Sequence, residues 1–556
     1  MTFREQIESL LLSERINLPA QYIGGELGSI VKPKNEVKNR LCFAFPDVYT
    51  IGMSHYGLQL LYSIMNRRDD WACERAFTPY PDMEAALRKH QLPLYSLETL
   101  APLKEFDVLG FTLQYELTYT NILTMLDLGG IPLHCADRTM DDPLVIAGGP
   151  SAVNPEPLAD FIDVFVIGDG EETLPAVCDA WVELKTSFGT RSRKELIQKL
   201  TERFDFAATG VIPRRLTQLT RAAIVPDLSK FAPPVRRIVP LIECPQDRVA
   251  VEIMRGCPGR CKFCISTVQK RPLRYRQPDE IATFALDACT ASGSREVSLL
   301  SLSTSDYPHF DELMEKLREV LNPLHVSISV PSLRVNHQLS STVQKLTTER
   351  TSGLTLAPEA ALDPMRKRIG KPITNENLLA GCETAFKNGF NRVKMYFLCG
   401  LPDETAEDID GIVDLSLQIY KLGKNIRGKA PMVTANVSNF VPKPHTPWER
   451  EPMQTPEYFD SVHHQLLNRV RKTGISLKYH SLKTSLMEAV LCRGNRSIGS
   501  VIERAWQLGA KLDGWSEYFR HDLWQQALNE EQIDINRLIH TAIPDDEKLP
   551  WEYIRY

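Results

Sequence analysis

The chain has 556 residues and a mass of 63.0 kDa, too long for one core; at roughly 150 residues per domain it holds about two to four domains. Lys+Arg 65 against Asp+Glu 70 gives a net charge of −5, which excludes a global attraction to nucleic acid and leaves RNA a question for local patches. With 24% charged and 43% hydrophobic residues, disordered, collagen-like and disulfide-scaffold classes are excluded.

In chain order, residues 1–40 give an amphipathic helix and an extended lead-in that turns at Gly24 and Gly25. The opening MTFREQIESLLLSERINLP mixes both charge signs and has no cleavable apolar core, and no apolar run reaches the ~18–20 residues of a membrane span. The expectation is therefore a cytoplasmic protein without a membrane segment. Its twelve cysteines are then thiols or metal ligands rather than disulfides. From Arg40 the text alternates strand and helix. Arg40–Phe45, Phe106–Leu113, Pro143–Ala147 and Phe161–Ile167 read as buried strands, with a loop over Pro46–Gly52 and helical spacing over Met53–Asn66. Such alternation predicts a doubly wound, Rossmann-like parallel sheet that binds ligands beyond the carboxyl ends of its strands. Between Trp181 and Arg237 a helix leads into a basic linker punctuated by Pro213, Pro226, Pro233 and Pro234.

A second α/β series starts at Val249. Strands are expected at Val249–Met254, Glu296–Leu300, Val326–Val330, Gly353–Leu356, Arg392–Phe397 and Met432–Val437. Between them lie helices such as Phe310–Leu321, where Leu313, Leu317, Val320 and Leu321 share one face. Six repeats predict a (β/α)6 partial barrel. The last stretch reads as helical and holds Trp506, Trp515, Trp524 and Trp551 as core or docking residues. The expected division is 1–180, a Rossmann domain with its lead-in; 181–240, helix and linker; 241–480, the partial barrel; and 481–556, a helical, Trp-rich region.

Cys257-Pro-Gly-Arg-Cys261-Lys-Phe-Cys264 follows the first strand of the second series. Three thiolates on one loop can converge on one inorganic centre. A [4Fe–4S] cluster normally takes four cysteines, so three leave one iron open to a ligand. The alternative is a zinc site completed by His309 or His325. The spacing, with Phe263 before the last cysteine, resembles the radical S-adenosylmethionine (radical SAM) superfamily. That resemblance implies that the cofactor's methionine end chelates the open iron, and that a 5′-deoxyadenosyl radical follows one-electron reduction. It also implies cofactor contacts from Phe263, from Ser303, Ser305 and Asp306 after the second strand, from Glu359 after the fourth, and from Gly400 and Glu404 after the fifth. Phe440-Val-Pro-Lys-Pro-His445 stands after the sixth.

Three stretches of the first domain carry a second resemblance: Phe45–Leu58, Ala147–Ser151 and Ile167–Thr173. They resemble the cobalamin (B12)-binding domain fused to many radical SAM enzymes. The resemblance implies cobalamin contacts from Asp47, Tyr49, Gly52, Ser54, Thr112, Gly148, Gly149, Gly168, Gly170 and Glu171. No Asp-x-His-x-x-Gly run is present, so a histidine below the cobalt is not expected, and His55 is not assigned that role. Taken whole, the chain resembles an uncharacterised family of cobalamin-domain radical SAM proteins. This implies a transferase, by methyl transfer or rearrangement on an unidentified substrate, supplied by a low-potential electron donor of the flavodoxin or ferredoxin type.

Ile253–Pro278 carries Arg255, Arg260, Lys262, Lys270, Arg271, Arg274 and Arg276 and no Asp or Glu. The run is read either as a rim for an anionic substrate, such as a nucleotide, RNA or carboxylate, or as charge offsetting the cluster and cofactor phosphate. Two rivals stand beside the main reading. One is a methylthiotransferase-like RNA modifier, which needs an auxiliary cluster for which Cys42, Cys73 and Cys135 are the candidates. The other is a non-catalytic metal- or cobalamin-binding sensor.

Overall fold

The computed structural model describes residues 1–187, 192–211, 219–330 and 353–556. Pro213 of the linker lies outside the described residues. The first domain is a six-stranded sheet of β1 (Asn39–Phe45), β2 (Trp71–Phe77), β3 (Val108–Thr112), β4 (Leu144–Gly148), β5 (Val164–Val166) and β6 (Ala207–Ala208) in the order β2-β1-β3-β4-β5-β6. All pairings are parallel except β5 with β6. Apolar residues face both ways, as a sheet covered on both sides demands. Cys42, Ala44 and Leu109 pack into one layer, and Leu41, Phe43 and Val108 into the other. The strand order reverses at β1 and β3, so the crevice for a ligand opens beyond their carboxyl ends.

β2 was not expected from the sequence. Its run WACERAF is interrupted by Glu74 and Arg75, yet all seven residues are buried. Internal ion pairs make this possible. Arg75 meets Glu26 at 2.9 Å and Glu98 at 2.6 Å, all three side chains being fully enclosed, and Arg40 meets Glu74 at 2.7 Å. Glu26 comes from the lead-in, which is thereby tied to the sheet. The expected loop Pro46–Gly52 contains a short helix, Tyr49–Met53, and the chain breaks at Ser54 and His55 before the helix Tyr56–Asn66.

After β7 (Thr220–Arg221) the second domain brings β8 (Val249–Glu252), the antiparallel pair β9 (Met254–Arg255) and β10 (Arg274–Tyr275), then β11 (Glu296–Leu300), β12 (Ser327–Ser329), β13 (Leu354–Glu359), β14 (Arg392–Cys399), β15 (Met432–Asn439) and β16 (Ser476–Tyr479). β8, β11 and β12 form one parallel sheet, ordered β12-β11-β8; β13 to β16 form another, ordered β13-β14-β15-β16. All six predicted barrel strands are present. β16 is a seventh. Its residues SLKY are mostly exposed, so no apolar run announces it. The expected helix Phe310–Leu321 is present with Leu313, Met314, Leu317 and Leu321 buried, and Val320 packs at its edge.

The C-terminal helices dock onto the first domain through their tryptophans. Trp506 Nε1 donates to Thr124 Oγ1 (3.0 Å) and Trp515 Nε1 to Asp47 Oδ1 (2.8 Å); Trp524 Nε1 donates within the C-terminal region to Asp513 Oδ1 (3.0 Å), whose Oδ2 accepts from Thr120 of the first domain (2.6 Å). β17 (Ile554–Arg555) pairs with β7. A continuous apolar core runs from the first domain through β13–β15 into these helices. Among the described residues no helix is long and apolar enough to cross a membrane.

Candidate active site

The cysteine loop leaves β9 through Gly256, whose φ of +105° and close approach to the Lys270 carbonyl leave no room for a Cβ. The loop is braced from below. The Lys262 N–H donates to the Ile369 carbonyl (2.9 Å), and Gly370, at φ +80°, lies against the Arg260 carbonyl. Arg271 Nη2 holds the Gly259 carbonyl (3.0 Å). Cys257, Cys261 and Cys264 are partly exposed, whereas the other nine cysteines are all buried. Burial pushes the Cys264 thiol above its ordinary range and the neighbouring Cys257 adds to this; N–H groups of Ser266 and Thr267 oppose it by donating to the sulfur. A bound cation is what such a thiol needs to remain ionised at neutral pH.

Among the described residues no three His, Cys, Asp or Glu side chains form a set that could hold one metal ion. The zinc alternative finds no fourth ligand in its two candidates. His309 packs against Tyr275 and Tyr307, and His325 precedes β12, at the end of the strands opposite the cysteine loop. An iron–sulfur cubane asks for something different, since each of three irons takes its own thiolate, the fourth stays open, and the sulfurs stand apart around it.

The predicted contacts for S-adenosylmethionine ring the barrel mouth. Phe263 packs against the apolar cluster of Ala360, Met365, Ile369, Leu401, Phe440 and Trp448; Ala360, Leu401 and Phe440 follow Glu359, Gly400 and the end of β15, so three strand ends meet in this cluster. Ser303 Oγ donates to Asp306 Oδ2 (2.5 Å), and Ser303 and Ser305 are buried. Glu359 accepts from Lys371 Nζ (3.1 Å); burial raises its carboxyl, against the pull of that ammonium. Glu404 accepts from the Gly400 N–H (2.6 Å) and the Tyr458 hydroxyl (2.6 Å), and burial pushes its pKa up to about 7.

A cavity of about 810 Å³ lies between the two domains. One wall is the switch point of the first sheet, with Ser54, Thr112, Gly148, Gly149, Gly168, Gly170 and Glu171; the other is β8, β11 and the segment after the cysteines, with Ser266, Gln269 and Lys270. Asp47, Tyr49 and Gly52 are not on its lining. Asp47 receives Trp515, Tyr49 donates to Glu26 (3.1 Å), and a Cβ on Gly52 would strike Phe77. His55 lies on the lining, a position the sequence did not assign. Its Nδ1 accepts the Leu58 N–H (3.0 Å), and burial, aided by the Lys270 charge, lowers its pKa to about 4. The ring is therefore neutral with its proton on Nε2, and it cannot ligate a metal through that nitrogen without surrendering the proton.

The basic run is not an open rim. Arg255 bridges Asp169 (3.1 Å), Glu171 (2.5 Å) and Glu252 (2.8 Å); Arg274 meets Asp169 at 2.6 Å; Arg276 is buried on the Leu228 and Phe231 carbonyls and Glu280. Lys262 sits over the Trp448 ring. Arg255, Arg274 and Arg276 are spent inside the molecule, the first two clamping the first domain to the cysteine loop, while Arg260 and Arg271 are exposed; the sequence shows seven cations but not the Asp169 and Glu171 that meet two of them. The auxiliary-cluster candidates do not gather either. Cys42 and Cys135 lie in one layer of the sheet and Cys73 in the other, and burial raises all three thiols.

A cysteine loop at a barrel mouth, facing a second α/β domain across a cavity, defines a two-domain barrel enzyme built around an iron–sulfur centre. The family model described as the Radical SAM superfamily matches residues 251–416, and that described as Radical SAM proteins, N-terminal, matches residues 57–206. The chain belongs to the radical SAM superfamily; it is an enzyme whose cofactors are a [4Fe–4S] cluster and S-adenosylmethionine. An uncharacterized protein of Methanocaldococcus jannaschii, MJ0966, is 27% identical over 419 residues, 74% of this chain and 83% of that one. The putative methylthiotransferase MJ0865 of the same organism is 26% identical over 216 residues, 35% of this chain and 47% of that one. The fold is that of the cobalamin-dependent S-adenosylmethionine radical enzyme OxsB, at TM-score 0.50 and 12% identity over 90% of this chain and 72% of that one.

Proposed function

We propose that the protein is a cobalamin-dependent radical SAM transferase acting on an unidentified substrate, by methyl transfer or rearrangement. The observation that carries this is the cavity between the switch point and the cysteine loop. Its first wall is cut back at Gly148 and Gly170, where a Cβ would come within 3.1 Å of the Val166 carbonyl and of the Leu61 side chain. Its far lobe carries Arg237 and Arg248, whose Nε atoms are buried without partners. Bare backbone on one side and unspent donors on the other suit a large, flat ligand rimmed with acceptor oxygens.

Cys257, Cys261 and Cys264 would hold the cluster, which, reduced, supplies the electron that cleaves S-adenosylmethionine. Ser303, Ser305, Asp306, Glu359, Gly400 and Glu404 would orient the cofactor with Phe263 beside them. Ser54, Thr112, Gly148, Gly149, Gly168, Gly170 and Glu171 would meet cobalamin, which supplies a methyl group or a cobalt centre to a substrate radical. His55, neutral and occupied by Leu58, would stay off the cobalt. The Arg255 network holds the two walls at a fixed separation, so the protein's work is orientation and exclusion of water. A second cleft of about 510 Å³ exposes Cys257 between Arg260 and Arg271, suiting an acidic, low-potential flavodoxin- or ferredoxin-type donor.

The name of one relative favours methylthio transfer as a second reading; the scattered positions of Cys42, Cys73 and Cys135 count against it. The test is the visible spectrum and cofactor content of protein purified without oxygen from cobalamin-replete cells. A corrin spectrum with about four irons per chain supports the proposal; about eight irons and no corrin favours the methylthiotransferase. A reducible cluster that forms no 5′-deoxyadenosine supports the sensor.

A further inference from the structure

The cavity end under the cysteine loop contains two donors that nothing in the protein uses. Tyr56, at the start of the helix Tyr56–Asn66, lines the cavity, and its hydroxyl is buried with no hydrogen-bond partner. Lys270, six residues beyond Cys264, lines the same cavity. Among the described residues its Nζ makes neither an ion pair nor a side-chain hydrogen bond, although Asp169, Glu171 and Glu252 are close enough to act on it electrostatically. Those carboxylates are engaged by Arg255 and Arg274. Tyr56 and Lys270 both line this one cavity.

An enclosed hydroxyl and an enclosed ammonium without acceptors each carry a desolvation cost that a ligand oxygen removes. The two charges of Arg255 and Arg274 fall short of the three of Asp169, Glu171 and Glu252, and Lys270 completes the balance without touching any of them. Burial lowers the Lys270 pKa from its ordinary value, and Asp169, Glu252 and Glu171 pull against that; its Nζ is left free to donate into the cavity. We propose that Tyr56 Oη and Lys270 Nζ are the donor pair that grips the amide-oxygen rim of a corrin on the side facing the cysteine loop. This deepens the cobalamin reading and rests on it. It assigns to Lys270 a role toward the bound cofactor, in place of a basic rim for substrate.

The test is equilibrium binding of hydroxocobalamin to the full chain with its cluster reconstituted, followed by absorbance after ultrafiltration. Wild type is compared with Tyr56→Phe, Lys270→Gln and the exposed control Lys429→Gln, with thermal melting checked for each. The expected result is a Kd raised roughly tenfold by Tyr56→Phe and ten- to a hundredfold by Lys270→Gln, with the control unchanged. Wild type that fails to bind hydroxocobalamin overturns the cobalamin reading and this inference with it. Wild type that binds, with both variants binding equally well, overturns the donor pair alone. Should Lys270→Gln fail to fold, Tyr56→Phe, which removes one oxygen and nothing else, decides the matter.

Discussion

Glu404 offers a quantitative test of how the barrel mouth is built. Its carboxyl is enclosed between the start of the helix Ala406–Arg427 and Tyr458, and accepts two hydrogen bonds of 2.6 Å. Burial still wins, lifting the pKa from 4.5 to about 7. The folded protein therefore binds this proton more tightly than the unfolded chain does. Glu404 contributes its full stability below about pH 4.5, and that contribution is lost as pH rises through 7. Shifting a carboxyl across that interval corresponds to at most about 3 kcal/mol. Glu404→Gln keeps an acceptor for Gly400 and Tyr458 but cannot ionise. Its stability relative to wild type should accordingly rise by up to about 3 kcal/mol between pH 5 and pH 8. Urea unfolding of cluster-free protein at half-unit pH steps measures this, read on the transition that reports the barrel. Parallel curves for the two proteins over that range would refute the reasoning, because they would mean that Glu404 is solvated.

Arg75→Met should lower stability by about 3–5 kcal/mol, because Glu26 and Glu98 would be left buried without their cation; denaturant unfolding of the first domain checks it. Asp169→Asn removes the anion between Arg255 and Arg274, and a loss of similar size, about 3 kcal/mol, is expected along with reduced iron retention after gel filtration, since the cysteine loop loses its tie to the first domain. Gly168→Ala places a Cβ 2.2 Å from the Ala223 carbonyl at φ +108°, whereas at Gly130, with φ +67°, nothing lies within 4 Å. The first change should lower the melting temperature well beyond the second, for which only the left-handed backbone cost of about 1 kcal/mol applies.

Much of this was legible in the sequence because burial on both faces leaves continuous apolar runs. β1, β3, β4 and β5 of the first domain announce themselves in that way, as do the six barrel strands. β2 was hidden because Glu74 and Arg75 look solvent-facing until the acids that satisfy them arrive from elsewhere in the chain. β16 was hidden for the opposite reason, since an exposed strand has no apolar signature. The cysteine loop was legible because its signature is local: three cysteines within eight residues. Its basic surroundings were not. Beyond the nearby Glu252, the cations at positions 255 and 274 pair with Asp169 and Glu171, which stand some hundred residues away, and linear charge counting cannot join them. Asp47, Tyr49 and Gly52 share a motif with Ser54, yet only Ser54 lines the cavity; a helix at Tyr49–Met53 turns the others toward the core and the C-terminal helices.

An open iron at the three-cysteine loop is the feature on which the proposed chemistry depends. Electron paramagnetic resonance of the reduced protein, with and without S-adenosylmethionine, tests it directly. The prediction is about four irons per chain and a cluster signal that changes on adding the cofactor. Zinc in place of iron, or a cluster signal indifferent to S-adenosylmethionine, would contradict it.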